Sequence, residues 1–304
     1  MKRLLYVLLA ALFGGSSLLV TACTTATGDD DDASDDDDAA DDDDATEDPC
    51  AGDDDDAADP PTGNALMGQA LGPDGTAYFD VALTACQGDR CLFGRTDCDG
   101  NWVIDGLDTG HFVVHNIAWP GDDQTLATFE WSSFYTLANL GDGEQKDLGV
   151  LHYPKITESF PAGSGPQSLS FGGGAVTLEY DADELDYPFP ASESAAPTIG
   201  AVQVPEADYP REGYEGWEIL DAWAFSPFET PLETAAGAPG HFSATVDLGA
   251  APADPTALSL LYANYEEDIN TGVFGPAENI VVDGQTISGD FSHAGLLLVV
   301  RQAL

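Results

Sequence analysis

From Ala65 to the end of the chain, apolar and polar residues alternate with a period of two, in short runs broken by Gly, Pro, Asp and Asn. Such alternation puts one face of each run on a core and the other in water, which is the pattern of β-strands in sandwiches or barrels. In the first half the runs fall at 65–71, 77–85, 91–95, 101–104, 110–119, 125–136 and 145–152. Seven short strands in that length suit one small sandwich. In the second half they fall at 168–171, 175–180, 198–204, 218–225, 241–248, 257–265, 277–282, 285–288 and 294–301, with Asp283-Gly284 as a two-residue hairpin turn. Trp217, Trp223, Phe225 and Phe228 are the expected core of this half. The predicted fold class is all-β: two β-sandwich domains in tandem, residues 64–152 and 153–304.

A different pattern precedes them. Lys2 and Arg3 open the chain, an apolar run follows from Leu4 to Phe13, and small residues interrupt it at Gly14 to Ser17. A positive start and a short apolar run before small residues make a secretory signal. The run falls short of the ~20 apolar residues that a spanning helix needs. Val20-Thr21-Ala22-Cys23 then resembles the lipobox of bacterial lipoproteins, in which the cysteine is acylated and becomes the new N-terminus. That resemblance makes residues 1–22 a signal peptide and Cys23 the lipidation site. It implies a membrane partner reached through lipid, since more than one acyl chain is what stable anchoring takes. An aspartate after the cysteine tends to mark inner-membrane retention in such proteins. This chain carries Thr24, which points to the outer membrane.

Between Cys23 and Gly63 the chain is mostly Asp and Ala, with Asp29 to Asp32, Asp35 to Asp38, Asp41 to Asp44 and Asp53 to Asp56 as unbroken acidic runs. Little apolar surface and strong self-repulsion predict a disordered, extended linker. Residues 24–62 would reach at most ~130 Å, enough to hold a folded body clear of a lipid surface.

Charge narrows the partners. The chain has 55 Asp and Glu against 8 Lys and Arg, and only 19 of the acids lie between Asp29 and Asp59, so the body is strongly acidic as well. No basic stripe exists to release the counterions of a nucleic acid, which excludes that partner class. A surface this acidic repels itself in dilute buffer. Thermal stability is therefore expected to rise from dilute buffer to seawater-like salt, and a flat or falling melting temperature would contradict this.

Cys50, Cys86, Cys91 and Cys98 are an even set in an oxidising compartment and are disulfide candidates. Cys86 and Cys91 flank the turn Gln87-Gly88-Asp89-Arg90, so a hairpin brings them within bridging distance and leaves Cys98 for Cys50. The alternative is a Cys86–Cys98 bridge. A four-thiolate zinc site lacks the paired knuckle spacing.

A second resemblance lies in the first half. Met67-Gly68-Gln69-Ala70, Thr96-Asp97-Cys98-Asp99-Gly100-Asn101-Trp102, Gly106-Leu107, Gly110-His111-Phe112 and Asp147-Leu148-Gly149 are similar to the carboxypeptidase regulatory-like domain. The resemblance implies a transthyretin-like, seven-strand scaffold or binding module without catalytic residues of its own. The residues of the turn agree with it. Asp97, Asp99 and Gly100 favour a tight reversal after which Trp102 points inward, whereas an EF-hand-type calcium loop would need further acidic ligands and a closing Glu.

Catalytic constellations are not found. His111 and His115 sit four apart on a predicted strand, ~13 Å from each other, too far to share a metal. Ser164 lacks nucleophile-elbow spacing, and Gly172-Gly173-Gly174 lacks the lysine of a phosphate loop. The best candidate site is Tyr180-Asp181-Ala182-Asp183-Glu184-Leu185-Asp186-Tyr187, where Asp181, Asp183 and Asp186 could gather a calcium ion, or carboxylates beside tyrosines could meet a glycan. The plainer reading is a solvated acidic loop. No other cofactor is expected. The sequence thus reads as a non-catalytic envelope lipoprotein, not an enzyme, presenting β-sandwich modules to an envelope protein or glycan. The alternative is a calcium- or carbohydrate-binding accessory protein of a degradative or uptake system.

Overall fold

The computed structural model of the protein describes Cys50, Pro61 and residues 63–186 and 197–303. The signal, Cys23 and nearly all of the acidic linker lie outside the described residues. The first half builds seven strands: β1 (Asn64–Leu71), β2 (Ala82–Gln87), β3 (Arg90–Arg95), β4 (Asn101–Leu107), β5 (Gly110–Asn116), β6 (Tyr135–Leu140) and β7 (Gln145–His152). They form one sheet ordered β4-β1-β7 and a second ordered β3-β2-β5-β6. Leu66, Leu83, Trp102, Ile104, Val113 and Leu137 meet in the core of this half.

Alternation shows most plainly in β4, where Trp102 and Ile104 are buried and Val103 is 41% exposed. The turn before it works as the composition demands. The Asp97 carboxylate accepts hydrogen bonds from the Asp99 and Asn101 amides at 2.9 and 2.8 Å. Gly100 has φ +79°, and a Cβ there would lie 2.6 Å from the Ala70 carbonyl oxygen, so only glycine fits.

Further strands follow: β8 (Glu158–Pro161), β9 (Pro166–Phe171), β10 (Val176–Asp181), β11 (Thr198–Gln203), β12 (Trp217–Ser226), β13 (Thr230–Pro231), β14 (Phe242–Asp247), β15 (Leu258–Tyr262), β16 (Gly275–Pro276), β17 (Glu278–Asp283), β18 (Thr286–Phe291), β19 (His293–Ala294) and β20 (Leu296–Gln302). They make a five-stranded sheet ordered β17-β18-β14-β10-β9, a six-stranded sheet ordered β16-β15-β20-β12-β11-β8 and the short pair β13-β19. Asp283 pairs with Thr286 around the expected hairpin turn. All-β is therefore the fold class. Among the described residues, sheet ladders stay within 64–152 or within 158–302.

The six-stranded sheet is covered on both faces, and this unites the molecule. Phe171, Leu178, Phe242, Phe291, Trp223, Phe225, Leu297 and Val299 fill the space between it and the five-stranded sheet. Ala222, Ala224, Leu296, Leu298 and Val300 point the other way, into the cluster that also contains the core of the first half. A strand buried on both faces has no need of polar alternation, which explains the unbroken run Leu296-Leu297-Leu298-Val299-Val300, 5% exposed or less throughout.

Two segments read as strands are corrected. Residues 125–136 divide into a helix, Gln124–Glu130, and the start of β6. Asp123 caps the helix, its carboxylate accepting from the Thr125 and Leu126 amides, so an N-terminal cap overrides the β pattern. The segment 257–265 stops at Tyr262, and a helix runs from Tyr265 to Thr271.

Candidate functional site

The histidines and acids singled out by sequence are placed apart. His111 and His115 both lie on β5. His152 Nδ1 meets the Asp208 carboxylate at 2.6 Å, and His293 Nδ1 meets Ser292 Oγ at 2.7 Å. The Ser164 carbonyl accepts from the Gln167 side chain, and Gly172–Gly174 is a 3-10 turn. Asp181 caps the next such turn, its carboxylate accepting from the Asp183 amide, and Asp183 and Asp186 face solvent. The structure does not bring Asp181, Asp183 and Asp186 together, and no cluster of three His, Cys, Asp or Glu ligands occurs among the described residues.

Cys86 and Cys91 are bonded across the β2–β3 hairpin with Cα atoms 4.0 Å apart. That pairing excludes the Cys86–Cys98 alternative. Cys98 and Cys50 are also in disulfide form.

The concentration of unusual chemistry lies elsewhere, at the seam where the first half meets the six-stranded sheet. The helix Tyr265–Thr271 builds it. Three acids, Glu266, Glu267 and Asp268, occupy its first turn, where the helix dipole favours negative charge. Asp268 turns back so that its Oδ2 accepts from the Asn264 amide at 3.0 Å, much as a capping-box side chain does. Gly272 ends the helix in the left-handed region, and a Cβ there would come within 2.7 Å of the His111 ring. The helix is thereby pressed onto β5, and the Tyr265 hydroxyl lies 3.1 Å from Cys91 Sγ.

Around Asp268 the walls are aromatic. Tyr135 donates its hydroxyl proton to Asp268 Oδ2 at 2.9 Å. The His115 ring stacks on Tyr135 at 6.0 Å and meets Phe228 and Tyr265 at 5.9 and 5.8 Å. Tyr135 also packs on Phe228 and Phe274. Next to Phe228 stands Glu229, which is not glycine yet has φ +53°, a strained conformation that surrounding packing must impose.

Burial governs the electrostatics of this group. Asp268 is 0% exposed, and loss of water drives its carboxyl up to about 7, against the pull of hydrogen bonds from the Asn264 amide and Tyr135. The Gly275 amide faces the same carboxyl without closing a bond to Oδ1. Burial, and then the nearby charges of Asp268 and Glu266, push Glu229 up to about 8. The His115 imidazole goes the other way, down to about 4, because burial disfavours its cation. Near neutral pH the seam therefore holds an uncharged imidazole beside a largely protonated Glu229 and an Asp268 in the middle of its titration. Glu229 Oε1, Asn264 Oδ1 and Asp268 Oδ1 are buried without a hydrogen-bond partner.

Sequence reading missed Glu229, Asn264 and Asp268. Nothing local in the sequence tells these buried groups from the many other acids and amides of the chain.

Among the described residues no helix is long and apolar enough to cross a membrane. Comparison with protein-family models gives no match, and comparison with curated proteins gives none either. Solved structures with some likeness include the Bacillus anthracis TIE protein, at 10% identity and TM-score 0.26 over 77% of this chain and 32% of that one. A DUF3823 family protein from Parabacteroides merdae aligns at 12% identity and TM-score 0.23, over 81% of this chain and all of that one. A 9R-lipoxygenase from Cyanothece aligns at 11% and 0.21, over 60% of this chain and 39% of its own length. The chain thus spans about a third of the first of these, and likenesses this weak assign neither family nor function.

Proposed function

We propose that the mature protein is a non-catalytic lipoprotein of the cell envelope, held by acyl chains on Cys23, that displays its β-sandwich body at the end of an acidic spacer. The observation that carries this reading is Val20-Thr21-Ala22-Cys23 placed directly between a short apolar run and an Asp- and Ala-rich segment. The outer membrane is the proposed address, on the strength of Thr24.

The body's role is structural, adhesive or ligand-binding. Its first half is proposed to be a carboxypeptidase regulatory-like module, a reading supported by seven strands over 64–152 and by the Asp97–Gly100 turn that delivers Trp102 to the core. Glu229, Asp268 and His115, whose acidities burial shifts strongly, sit among packed aromatic side chains, which supports a spacing role.

Fractionation of the source cell tests the anchor. Wild-type protein is expected in the membrane fraction and Cys23→Ser in the soluble or secreted fraction. Equal release of both proteins would overturn the proposal.

A further inference from the structure

The helix Tyr265–Thr271 lies against the Cys86–Cys91 disulfide, and little holds it there. Of its residues only Asp268 and Ile269 are buried, and a helix this short is not stable by itself. Both its ends can act as hinges: β15 stops at Tyr262 before the helix begins, and Gly272 ends it in the left-handed region with φ +69°. Three contacts press it down. The Tyr265 hydroxyl lies 3.1 Å from Cys91 Sγ, Gly272 fits against the His111 ring, and Asp268 Oδ2 takes the Tyr135 hydroxyl of β6 at 2.9 Å. Cys86 is 1% exposed and Cys91 is half-buried, so this cover governs how far the disulfide meets solvent.

Above pH 6 the Asp268 contact is the one a proton controls. As an anion, Asp268 would be buried with one oxygen, Oδ1, short of a donor. The groups around it are Tyr135 from β6, the uncharged His115 imidazole from β5, Glu229 from the loop after β12, and Glu266 and Glu267 from its own helix. None of these supplies a positive charge. His111 lies at the far end of the helix, against Gly272, and Arg90, next to Cys91, is spent on Asp108 at 2.6 Å. A buried anion without a counter-charge is relieved by regaining water. Glu229 is poorly placed to move, since Phe228 and Thr230 on either side are core residues and Thr230 is paired with Ala294. Asp268 sits on the least anchored element of the seam.

We propose that the helix Tyr265–Thr271 is a hinged cover over the Cys86–Cys91 disulfide, held shut by the protonated Asp268 carboxyl on Tyr135 and opened when that carboxyl loses its proton. The opening is local. It precedes global unfolding and leaves the six-stranded sheet and both cores in place.

The test compares full-length protein in detergent at pH 6 and 8.5. Amide hydrogen exchange, corrected for its intrinsic pH dependence, follows the Asp268 and Gly272 amides, which bond to the Asn264 and Asp268 carbonyls. Reduction of Cys86–Cys91 by a water-soluble phosphine is read by alkylation and peptide mass, relative to oxidised glutathione at the same pH. With the closed-state carboxyl at about 7, the opening equilibrium should rise about 30-fold between these pH values. Helix protection should fall and reduction should accelerate by about that factor, while the amides of β20 keep their protection. Asp268→Asn, which cannot ionise, should remove the pH dependence of both readouts. Should that variant fail to fold, the contrast between helix and β20 in wild-type protein still decides. A loss of protection shared equally by β20, a reduction rate independent of pH, or a pH response retained in Asp268→Asn would overturn the cover.

Discussion

Raising the pH from 6.5 to 9 is expected to lower the stability of the protein by on the order of 3 kcal/mol. Glu229 and Asp268 have raised folded pKa values, about 8 and about 7. Their contribution is fully present below the unfolded carboxyl range and is lost as pH climbs through those values. His115 has the opposite sign. Its folded value is depressed to about 4, so its contribution is present above the ordinary histidine value and is lost as pH falls towards 4. Between pH 4 and 6.5 the imidazole and the carboxyls oppose each other, and above 6.5 the carboxyls act alone. Denaturant melts at pH 6.5, 7.5 and 9 should show the decline, and Glu229→Gln should flatten much of it. A wild-type profile that is level from pH 6.5 to 9 would show that the buried carboxyls do not hold their protons.

The other large effect is a matter of packing. Trp102→Ala is expected to cost about 3–5 kcal/mol, as large aromatic truncations in closed cores do, because Trp102 is 2% exposed and belongs to the same core cluster as Leu66, Ile104 and Leu148. Its neighbour Val103 points outward, so Val103→Ser should change stability by no more than about 0.5 kcal/mol. Trp102→Phe should cost less than the alanine variant, since it keeps an aromatic ring and removes an indole N–H that has no partner. Urea melts of the three variants decide this. Similar losses at 102 and 103 would mean that β4 does not present alternate faces to core and solvent.

That contrast also shows what made the fold legible. Where one face of a strand is wet, as in β4, the period of two is written in the residues, and the predicted runs fall on strands. Where a strand is buried on both faces, as in β20, the run of Leu and Val still reads as a strand but says nothing of the second layer that covers it. The helix Gln124–Glu130 was hidden because Phe129 and Trp131 alternate as strand residues would, and the deciding feature was the cap at Asp123. The helix Tyr265–Thr271 buries only Asp268 and Ile269, too little apolar pattern to register.

The seam was illegible for a different reason. Its chemistry comes from desolvating two acids in a chain that has 55, and desolvation is decided by tertiary packing between segments more than a hundred residues apart, such as Tyr135 and Asp268. The reverse holds for Asp181, Asp183 and Asp186. Their spacing looked like a ligand set, but a turn capped by Asp181 spends its carboxylate on backbone.

The most direct test of the account is the mass of the N-terminal peptide of protein purified from its own membranes. Cleavage before Cys23 with fatty acyl mass on that residue is the predicted result. An unmodified Cys23, or a mature chain that begins elsewhere, would contradict it.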